Sequence, residues 1–187
     1  MRIVIGIGGA SGVIYGVSLM QVLETEILLV MSKIAKDILR YETDLAVESV
    51  YQLADEVFED EDLFAPIASG SNPFDAMVIV PCSESTIAKI ANGISDTLIT
   101  RAAAVCLKEH RRLVIVPRET PVSAIMLENE LKLARLGVAV VPASPGFYPR
   151  PKTVQEMVDF IVGRILDQLG QPNEMFDRWS KVERSTL

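Results

Sequence analysis

Small residues and hydroxyls follow three of the apolar runs in this sequence. Residues 8–12 (GGASG) come after the first run, Ser32 and Lys33 after the second, and residues 81–86 (PCSEST) after the third. Serine and threonine at such positions cap helices, and a capped helix N-terminus presents free N–H groups and the positive end of a dipole. The pattern therefore predicts either ordinary helix caps or a phosphate-binding edge, since both use the same donors.

The fourth and fifth apolar runs are followed by further polar residues. Arg118 comes directly after the fourth run. Tyr148 lies in PGFYPRP (145–151), where three prolines fix φ and stiffen the loop.

The glycine-rich turn does not complete a nucleotide-binding fingerprint. The pattern G-x-G-x-x-G needs glycine at positions 6, 8 and 11, and position 11 is serine. A nicotinamide enzyme also carries an acid after the second strand, where this chain has Ser32 and Lys33. No GK[ST] follows the glycines, so a Walker A loop is absent as well. The turn is therefore weak evidence for NAD and favours a different phosphate ligand.

Five runs of valine, isoleucine and leucine without alternation predict strands buried on both faces: RIVIGI (2–7), EILLVM (26–31), AMVIVP (76–81), RLVIVP (112–117) and VAVVP (138–142). Helical periodicity between and after them predicts helices over 12–23, 33–41, 84–92, 97–110, 123–136 and 154–169. This alternation predicts one α/β domain over residues 1–170, a Rossmann-like or flavodoxin-like parallel sheet with helices on both faces. Residues 171–187 are expected to be a polar tail. Ligands of such sheets bind beyond the carboxyl ends of the strands.

Composition excludes several classes of protein. The net charge of −7 argues against sequence-independent binding of nucleic acid. A hydrophobic content of 49% is high for a domain of 187 residues, which predicts burial of apolar surface between subunits of a homo-oligomer. No apolar run reaches the ~20 residues that span a bilayer, and no signal peptide is recognisable. One histidine and two scattered cysteines cannot build a zinc site. Neither cysteine lies in a CxxC motif, so we expect a cytoplasmic protein with reduced thiols.

Six segments together resemble the UbiX-like flavin prenyltransferases: GASGVIYG (9–16), VMSKIA (30–35), ETD (42–44), PCSEST (81–86), TRAAAVCLKEHRRLVIVPRETP (100–121) and PGFYPRP (145–151). The resemblance runs from about residue 2 to about residue 180. It implies a flavodoxin-like or Rossmann-like fold assembled as a dodecamer. It also implies an enzyme that joins the dimethylallyl group of dimethylallyl phosphate to N5 and C6 of reduced FMN, without a metal. The product, prenylated FMN, would pass to UbiD-like decarboxylases.

The resemblance also assigns roles to individual residues. A flavin-binding role falls on Gly9, Ala10, Ser11, Ser32, Ser83, Glu84, Ser85, Thr86 and Arg118. A role in binding the second substrate falls on Arg101, Lys108, Tyr148, Arg164 and the tail residue Trp179. Arginine, lysine and tyrosine can meet the charge of a phosphate without a metal. Arg101 and Lys108 are seven residues apart, so they share one face of a predicted helix, and the alternative for these cations is that they are simply solvated. Proton handling falls on Ser11, Glu42 and Glu119. A carboxylate is a fitting base for the proton that must leave flavin C6.

Two other functions are weighed against this one. FMN-dependent cysteine decarboxylases have the same fold, but they use an active-site histidine and a PASANT-like segment, where this chain has PCSEST and only His110. A non-catalytic flavin carrier, or a partner of a decarboxylase, would not need the second set of basic residues. We expect His110 at the surface and Cys82 and Cys106 in the core. The acidic run 55–62 is expected to be a solvated face.

Overall fold

The computed structural model describes residues 1–179. Within this range, six strands form one sheet: β1 Arg2–Ile7, β2 Glu26–Met31, β3 Glu56–Glu59, β4 Ala76–Cys82, β5 Arg112–Pro117 and β6 Ala139–Val140. The α-helices of the same range are α1 Val13–Val22, α2 Lys33–Glu42, α3 Val47–Tyr51, α4 Glu84–Ala91, α5 Leu98–Lys108, α6 Ala124–Arg135 and α7 Val154–Leu169. Serine or threonine side chains cap α2, α4, α5, α6 and α7, as the sequence pattern predicts.

All strand pairs are parallel, and the strand order is β3-β2-β1-β4-β5-β6. This is the order of doubly wound dinucleotide-binding domains, rather than the 2-1-3-4-5 order of flavodoxins. The predicted α/β class, with one parallel sheet, is therefore confirmed, and the order selects the Rossmann-like form. Residues 171–179 lie outside this sheet and fold back along α7.

Two hydrophobic layers cover the two faces of the sheet. Alternate side chains of β1 face opposite ways: Ile3, Ile5 and Ile7 belong to the layer that contains α1, α2, α3 and α7. Val4 belongs to the other layer, which contains α4, α5 and α6. Burial on both faces explains why the strands read as continuous apolar runs instead of alternating ones.

The segment 55–75 interrupts the alternation of apolar runs and helices in the sequence, which predicts an irregular excursion with room for a short extra strand. It supplies the edge strand β3 and a 3-10 turn over Pro66–Ala68, and the short helix α3 just before it was not predicted. The interpretation of run 55–62 as a solvated face is wrong at Asp60, which is buried. Asp60 Oδ1 accepts a hydrogen bond from Ile99 N at 2.9 Å, and its carbonyl accepts one from Leu98 N at 2.7 Å. Asp60 therefore satisfies the exposed amides at the start of α5.

No helix within the described range combines the length and the apolarity that crossing a bilayer requires.

Candidate active site at the carboxyl edge of the sheet

The strand order places the ends of β1 and β4 side by side at the centre of the carboxyl edge. The sheet extends through β2 and β3 on one side of this pair and through β5 and β6 on the other. Loops that diverge at such a switch leave a crevice in which open α/β sheets bind ligands. Gly8 N donates to Pro81 O at 3.0 Å, and a Cβ on Gly8 would lie 2.8 Å from that oxygen. The close approach of the two loops therefore requires glycine at this position.

Ser32 and Ser83 begin the helices that start at this edge. Ser32 Oγ accepts a hydrogen bond from Ala35 N at 3.1 Å, and Ser83 Oγ accepts one from Thr86 N at 3.3 Å. Ser83 Oγ also lies 2.9 Å from Thr86 Oγ1. A cap uses only the hydroxyl oxygen, so the hydroxyl proton of Ser32 remains available to an anion. The two interpretations of the sequence, cap and phosphate site, are thus compatible in one residue.

Two charges of opposite sign hold the Ser11–Gly12 peptide. Glu42 Oε2 accepts a hydrogen bond from Gly12 N at 2.9 Å, and Arg118 Nε donates to Ser11 O at 3.3 Å. Gly12 has a φ of 97°, in the left-handed region that glycine adopts without strain. Glu119, next to Arg118, is exposed, and its carboxylate accepts the following backbone N–H at 2.9 Å. The turn after β1 is therefore fixed from α2 on one side and from the loop after β5 on the other.

The other positions assigned to flavin binding lie at the same edge. Gly9 faces Ile34 of α2, since a Cβ on Gly9 would lie 2.9 Å from Ile34 Cγ2. Ala10 is buried, whereas Glu84 is half-buried and Ser85 is exposed in the first turn of α4. The structure therefore brings the residues after β1, β2, β4 and β5 to one edge of the sheet, as the positions of the apolar runs predicted.

Arg101 and Lys108 lie at opposite ends of α5. Arg101 is in the first turn, and its Nε donates to Ala68 O at 3.0 Å. Lys108 is the last residue of the helix and pairs with Glu109 at 2.7 Å, next to the start of β5. The helix spans the depth of the domain, so Lys108 lies at the amino edge of the sheet. The shared helix face does not bring both residues to one site within the subunit.

Tyr148 meets Trp179 in the structure. The Tyr148 ring packs edge to face against Trp179, with ring centroids 5.3 Å apart, and against Phe160 of α7, at 5.7 Å. Such perpendicular contacts are the favoured geometry of aromatic pairs. The indole keeps 73% of its surface exposed. A loop and a tail segment that are distant in sequence thus form one aromatic wall beside the carboxyl edge.

Arg164 lies in the middle of α7 and is exposed. Its Nη1 donates to Asp167 Oδ2 at 2.8 Å. A cavity of about 310 Å³ lies between the end of β6 and α7, and Arg164, Ser144 and Phe160 are among the residues that line it. Arg164 and Tyr148 therefore share Phe160 as a neighbour.

Sequence reasoning missed two residues of this region. Tyr15 is half-buried, and its ring lies against Gly12, where a Cβ would be 2.9 Å from Tyr15 Cδ2. Burial raises the pKa of the Tyr15 phenol, while the nearby Arg118 guanidinium lowers it. Asp167, which contacts Arg164, was also missed. The signals were present, because Tyr15 belongs to GASGVIYG and Asp167 follows Arg164 by three residues, the spacing of helical ion pairs.

His110 and Cys106 lie away from the crevice, whereas Cys82 ends β4 beside it with its side chain in the hydrophobic core. His110 is exposed after the end of α5, with a φ of 55°. Cys82 and Cys106 are buried, and burial raises the pKa of Cys82 far above its usual range and that of Cys106 to about 12. Both are therefore inert thiols packed in the core, as expected. Within residues 1–179, no cluster of histidine, cysteine and acidic side chains has the composition of a metal site.

Comparison with known proteins identifies relatives along nearly the whole chain. The model of the family described as Flavoprotein matches residues 1–166. The flavin prenyltransferase UbiX of Thermoplasma acidophilum is 56% identical over 180 residues, which are 96% of this chain and 100% of that protein.

Two solved structures superpose closely. AnUbiX (PadA1), determined in complex with FMN and dimethylallyl pyrophosphate, is 43% identical with a TM-score of 0.94, and the match covers 97% of this chain and 98% of that one. A dodecameric FMN-dependent UbiX-like decarboxylase from Escherichia coli O157:H7 is 45% identical with a TM-score of 0.93, and the match covers 96% and 99% of the two chains.

Proposed function

The chain belongs to the flavin prenyltransferase family, and from that premise we propose that it joins the dimethylallyl group of dimethylallyl phosphate to N5 and C6 of FMN. N5 of reduced FMN would gain its bond to the five-carbon group as phosphate leaves. C6 would gain its bond by adding to the remaining double bond of that group, with one proton taken up by the neighbouring carbon and one proton lost from C6. The observation that carries the proposal is the meeting of hydroxyl-capped helix N-termini and the Tyr148–Trp179 wall at one edge of the sheet. One region suits a flavin phosphate and the other suits a prenyl phosphate.

The residues after β1, β2 and β4 fit FMN. Ser32 offers a hydroxyl proton and the positive end of α2 to the flavin phosphate, which is the donor set that a dianion needs. Gly8 and Gly9 leave no room for a Cβ, so the turn approaches its neighbours, and a ligand, through backbone alone. Ser83, Glu84, Ser85 and Thr86 line the adjacent start of α4.

Arg118 and Glu42 would keep the turn after β1 in its binding conformation. A cation on the carbonyl and an anion on the N–H of one peptide group resist its rotation. Ser11, Glu42 and Glu119 also supply the oxygen atoms that can take a proton from the reacting flavin edge. A carboxylate within reach of that edge can act as general base.

The second substrate needs cations, because its leaving group is a phosphate. Tyr148 and Arg164 offer a phenolic O–H and a guanidinium, and Trp179 offers an apolar face for a prenyl chain. Arg101 lies in the first turn of α5, whereas Lys108 completes the set only if another subunit brings it to the crevice, because α5 separates it from the crevice within the chain. We propose a homo-oligomer, dodecameric like its relative, for this reason and because large apolar side chains such as Phe64 and Ile125 are exposed.

We propose a UbiD-like decarboxylase as the recipient of prenylated FMN and the cytoplasm as the compartment. The support for the compartment is chemical: Cys82 and Cys106 are free thiols, as is usual in reducing surroundings.

An FMN-dependent cysteine decarboxylase is the competing function. That chemistry uses an active-site histidine. His110 is the only histidine of the chain, and it lies after α5 at the amino edge of the sheet. The competing function therefore lacks its catalytic histidine at the crevice of its own subunit, and the chain has PCSEST (81–86) where that chemistry uses a PASANT-like segment.

Mass spectrometry of the bound flavin tests the proposal. The protein is mixed anaerobically with FMN, dithionite and dimethylallyl phosphate, and the flavin is then released and weighed. We expect a flavin heavier than FMN by one five-carbon unit, formed only with the complete mixture. Recovery of unmodified FMN alone would leave the protein a flavin carrier and refute the proposal.

A further inference from the structure

Residues 173–179, called here the tail segment, fold back on α7 and are held by one carboxylate. Arg178 donates two hydrogen bonds to Asp167, from Nη1 to Oδ2 at 2.7 Å and from Nη2 to Oδ1 at 2.8 Å. Asn173 Nδ2 donates to the same Oδ1 at 3.1 Å and to Gly163 O at 3.3 Å. Paired arginine–carboxylate bonds of this kind fix geometry as well as distance.

An aromatic chain continues from this anchor to the carboxyl edge. The Arg178 guanidinium lies over the Phe176 ring at 4.7 Å, and Phe176 lies 4.6 Å from Phe160. Gly163 makes room for Phe176, because a Cβ there would lie 2.7 Å from the ring. Phe160 then contacts Tyr148, which contacts Trp179 at the end of the tail segment. The carboxylate and the Tyr148–Trp179 wall are thus joined by continuous packing.

Asp167 also holds Arg164, the arginine assigned to the prenyl phosphate. The carboxylate accepts one hydrogen bond from Arg164 Nη1 at 2.8 Å and two from Arg178. The Arg178 guanidinium holds the pKa of Asp167 below its usual range, so the carboxylate stays charged. With Arg178 bound, Asp167 keeps its charge paired even when Arg164 turns away toward another anion.

We propose that Asp167 is a positioning residue of the prenyl-phosphate site. It docks the tail segment through Arg178, which seats Trp179 against Tyr148, and its hydrogen bond orients Arg164 beside that site. The proposal rests on the proposed function in naming the phosphate as the ligand of Arg164. The docking itself depends only on the contacts of α7 and the tail segment.

The single tryptophan of the chain gives a direct readout of docking. Acrylamide quenching of Trp179 fluorescence is measured on the flavin-free, full-length protein for the wild type, Asp167→Asn, Arg178→Ala and Arg178→Lys. Trp179 is already 73% exposed when docked, so we expect the quenching constant to rise by about a third in Asp167→Asn and Arg178→Ala, because the tail segment opens locally. Arg178→Lys keeps the charge without the paired bonds and should lie between them and the wild type.

Asp177→Asn is the matched control. It removes the same charge from an exposed position next to Arg178, and it should leave quenching unchanged. Circular dichroism and thermal melting verify that each variant is folded. Arg178→Lys is the mild change that keeps the test informative if Asp167→Asn proves unstable.

Steady-state kinetics test the link to the substrate. We expect the KM for dimethylallyl phosphate to rise about tenfold in Asp167→Asn and Arg178→Ala, while FMN affinity stays at the wild-type value, because the misplaced groups act on only one substrate. Wild-type quenching in both variants, or an equal change in Asp177→Asn, would overturn the docking role. Altered quenching with an unchanged KM would overturn the positioning role. A wild-type protein that forms no prenylated flavin would instead refute the proposed function, and quenching would still decide the docking.

Discussion

Replacing Ser32 with aspartate separates helix capping from phosphate binding. Ser32 Oγ caps α2 by accepting from Ala35 N at 3.1 Å, and aspartate is as good a cap as serine. The substitution should therefore leave the fold and its melting temperature nearly unchanged. It replaces a hydroxyl donor by a negative charge at the proposed position of the FMN phosphate.

The expected loss of affinity follows from the charges. Two unit charges about 4 Å apart repel by roughly 1 kcal/mol in bulk water and about 4 kcal/mol near a protein surface. The phosphate carries close to two charges, which doubles both values. Because Ser32 is only half-buried, we take the value for bulk water, about 2 kcal/mol. This corresponds to a roughly thirtyfold weaker Kd for FMN at low salt.

Fluorescence titration of FMN measures the effect, with Ser32→Asn as the matched neutral variant. Asparagine also caps a helix and offers an amide donor, so we expect it to bind FMN within a few-fold of the wild type. The gap between the aspartate and asparagine variants should shrink as salt rises, because salt screens the repulsion. Equal affinity of the two variants would refute the placement of the phosphate at Ser32.

Three further substitutions test other parts of the structure. Tyr148→Phe should leave FMN affinity unchanged and lower single-turnover prenyl transfer roughly ten- to a hundredfold, since one donor to a charged acceptor is worth about 1.5–3 kcal/mol; a wild-type rate and a wild-type affinity for dimethylallyl phosphate would move the second substrate elsewhere. Gly16→Ala should destabilise the protein more than Gly93→Ala in urea unfolding. A Cβ on Gly16 would lie 2.6 Å from Val80 O, whereas nothing lies within 4 Å of a Cβ on Gly93. An equal or larger loss of unfolding free energy at Gly93, where φ is 73°, would contradict the packing of α1 on β4. Asp167→Asn should remove a pH-dependent part of the free energy of unfolding. Arg178 lowers the pKa of Asp167, so the charged carboxylate stabilises the folded state above the unfolded pKa of about 3.9. This contribution is lost as the pH falls through the folded pKa. If the free energies of unfolding of wild type and variant change in parallel from pH 6 to pH 3, the carboxylate stabilises nothing.

Local patterns in the sequence were enough to predict most strands and helices and the residues that lie at the carboxyl edge of the sheet. The apolar runs predicted β1, β2, β4 and β5 nearly to the residue, because a strand buried on both faces has to be continuously apolar. The hydroxyls that start the helices were recognisable because capping is a local interaction. Since all parallel strands point the same way, the residues that follow them had to share one edge.

Two strands were less well defined by local pattern. The run VAVVP (138–142) gives only the two-residue strand β6, since an edge strand has a single neighbour to pair with. The acidic composition of residues 55–62 gave no clear signal for β3 or for the burial of Asp60. That burial depends on the amides of a helix far along the chain. Neither charge nor periodicity carries that information.

The sequence by itself determined a parallel α/β domain with hydroxyls and glycines at the carboxyl edge, because strand burial, helix capping and close backbone approach are each encoded within a few residues. Only the tertiary structure decided the order of the strands, since all of the buried runs look alike until they pair. It alone brought Glu42 and Arg118 to the Ser11–Gly12 peptide and docked Arg178 on Asp167. It also placed Lys108 at the far edge, although Lys108 and Arg101 share a helix face. These outcomes depend on where whole elements pack, and that is fixed by contacts between residues distant in the chain.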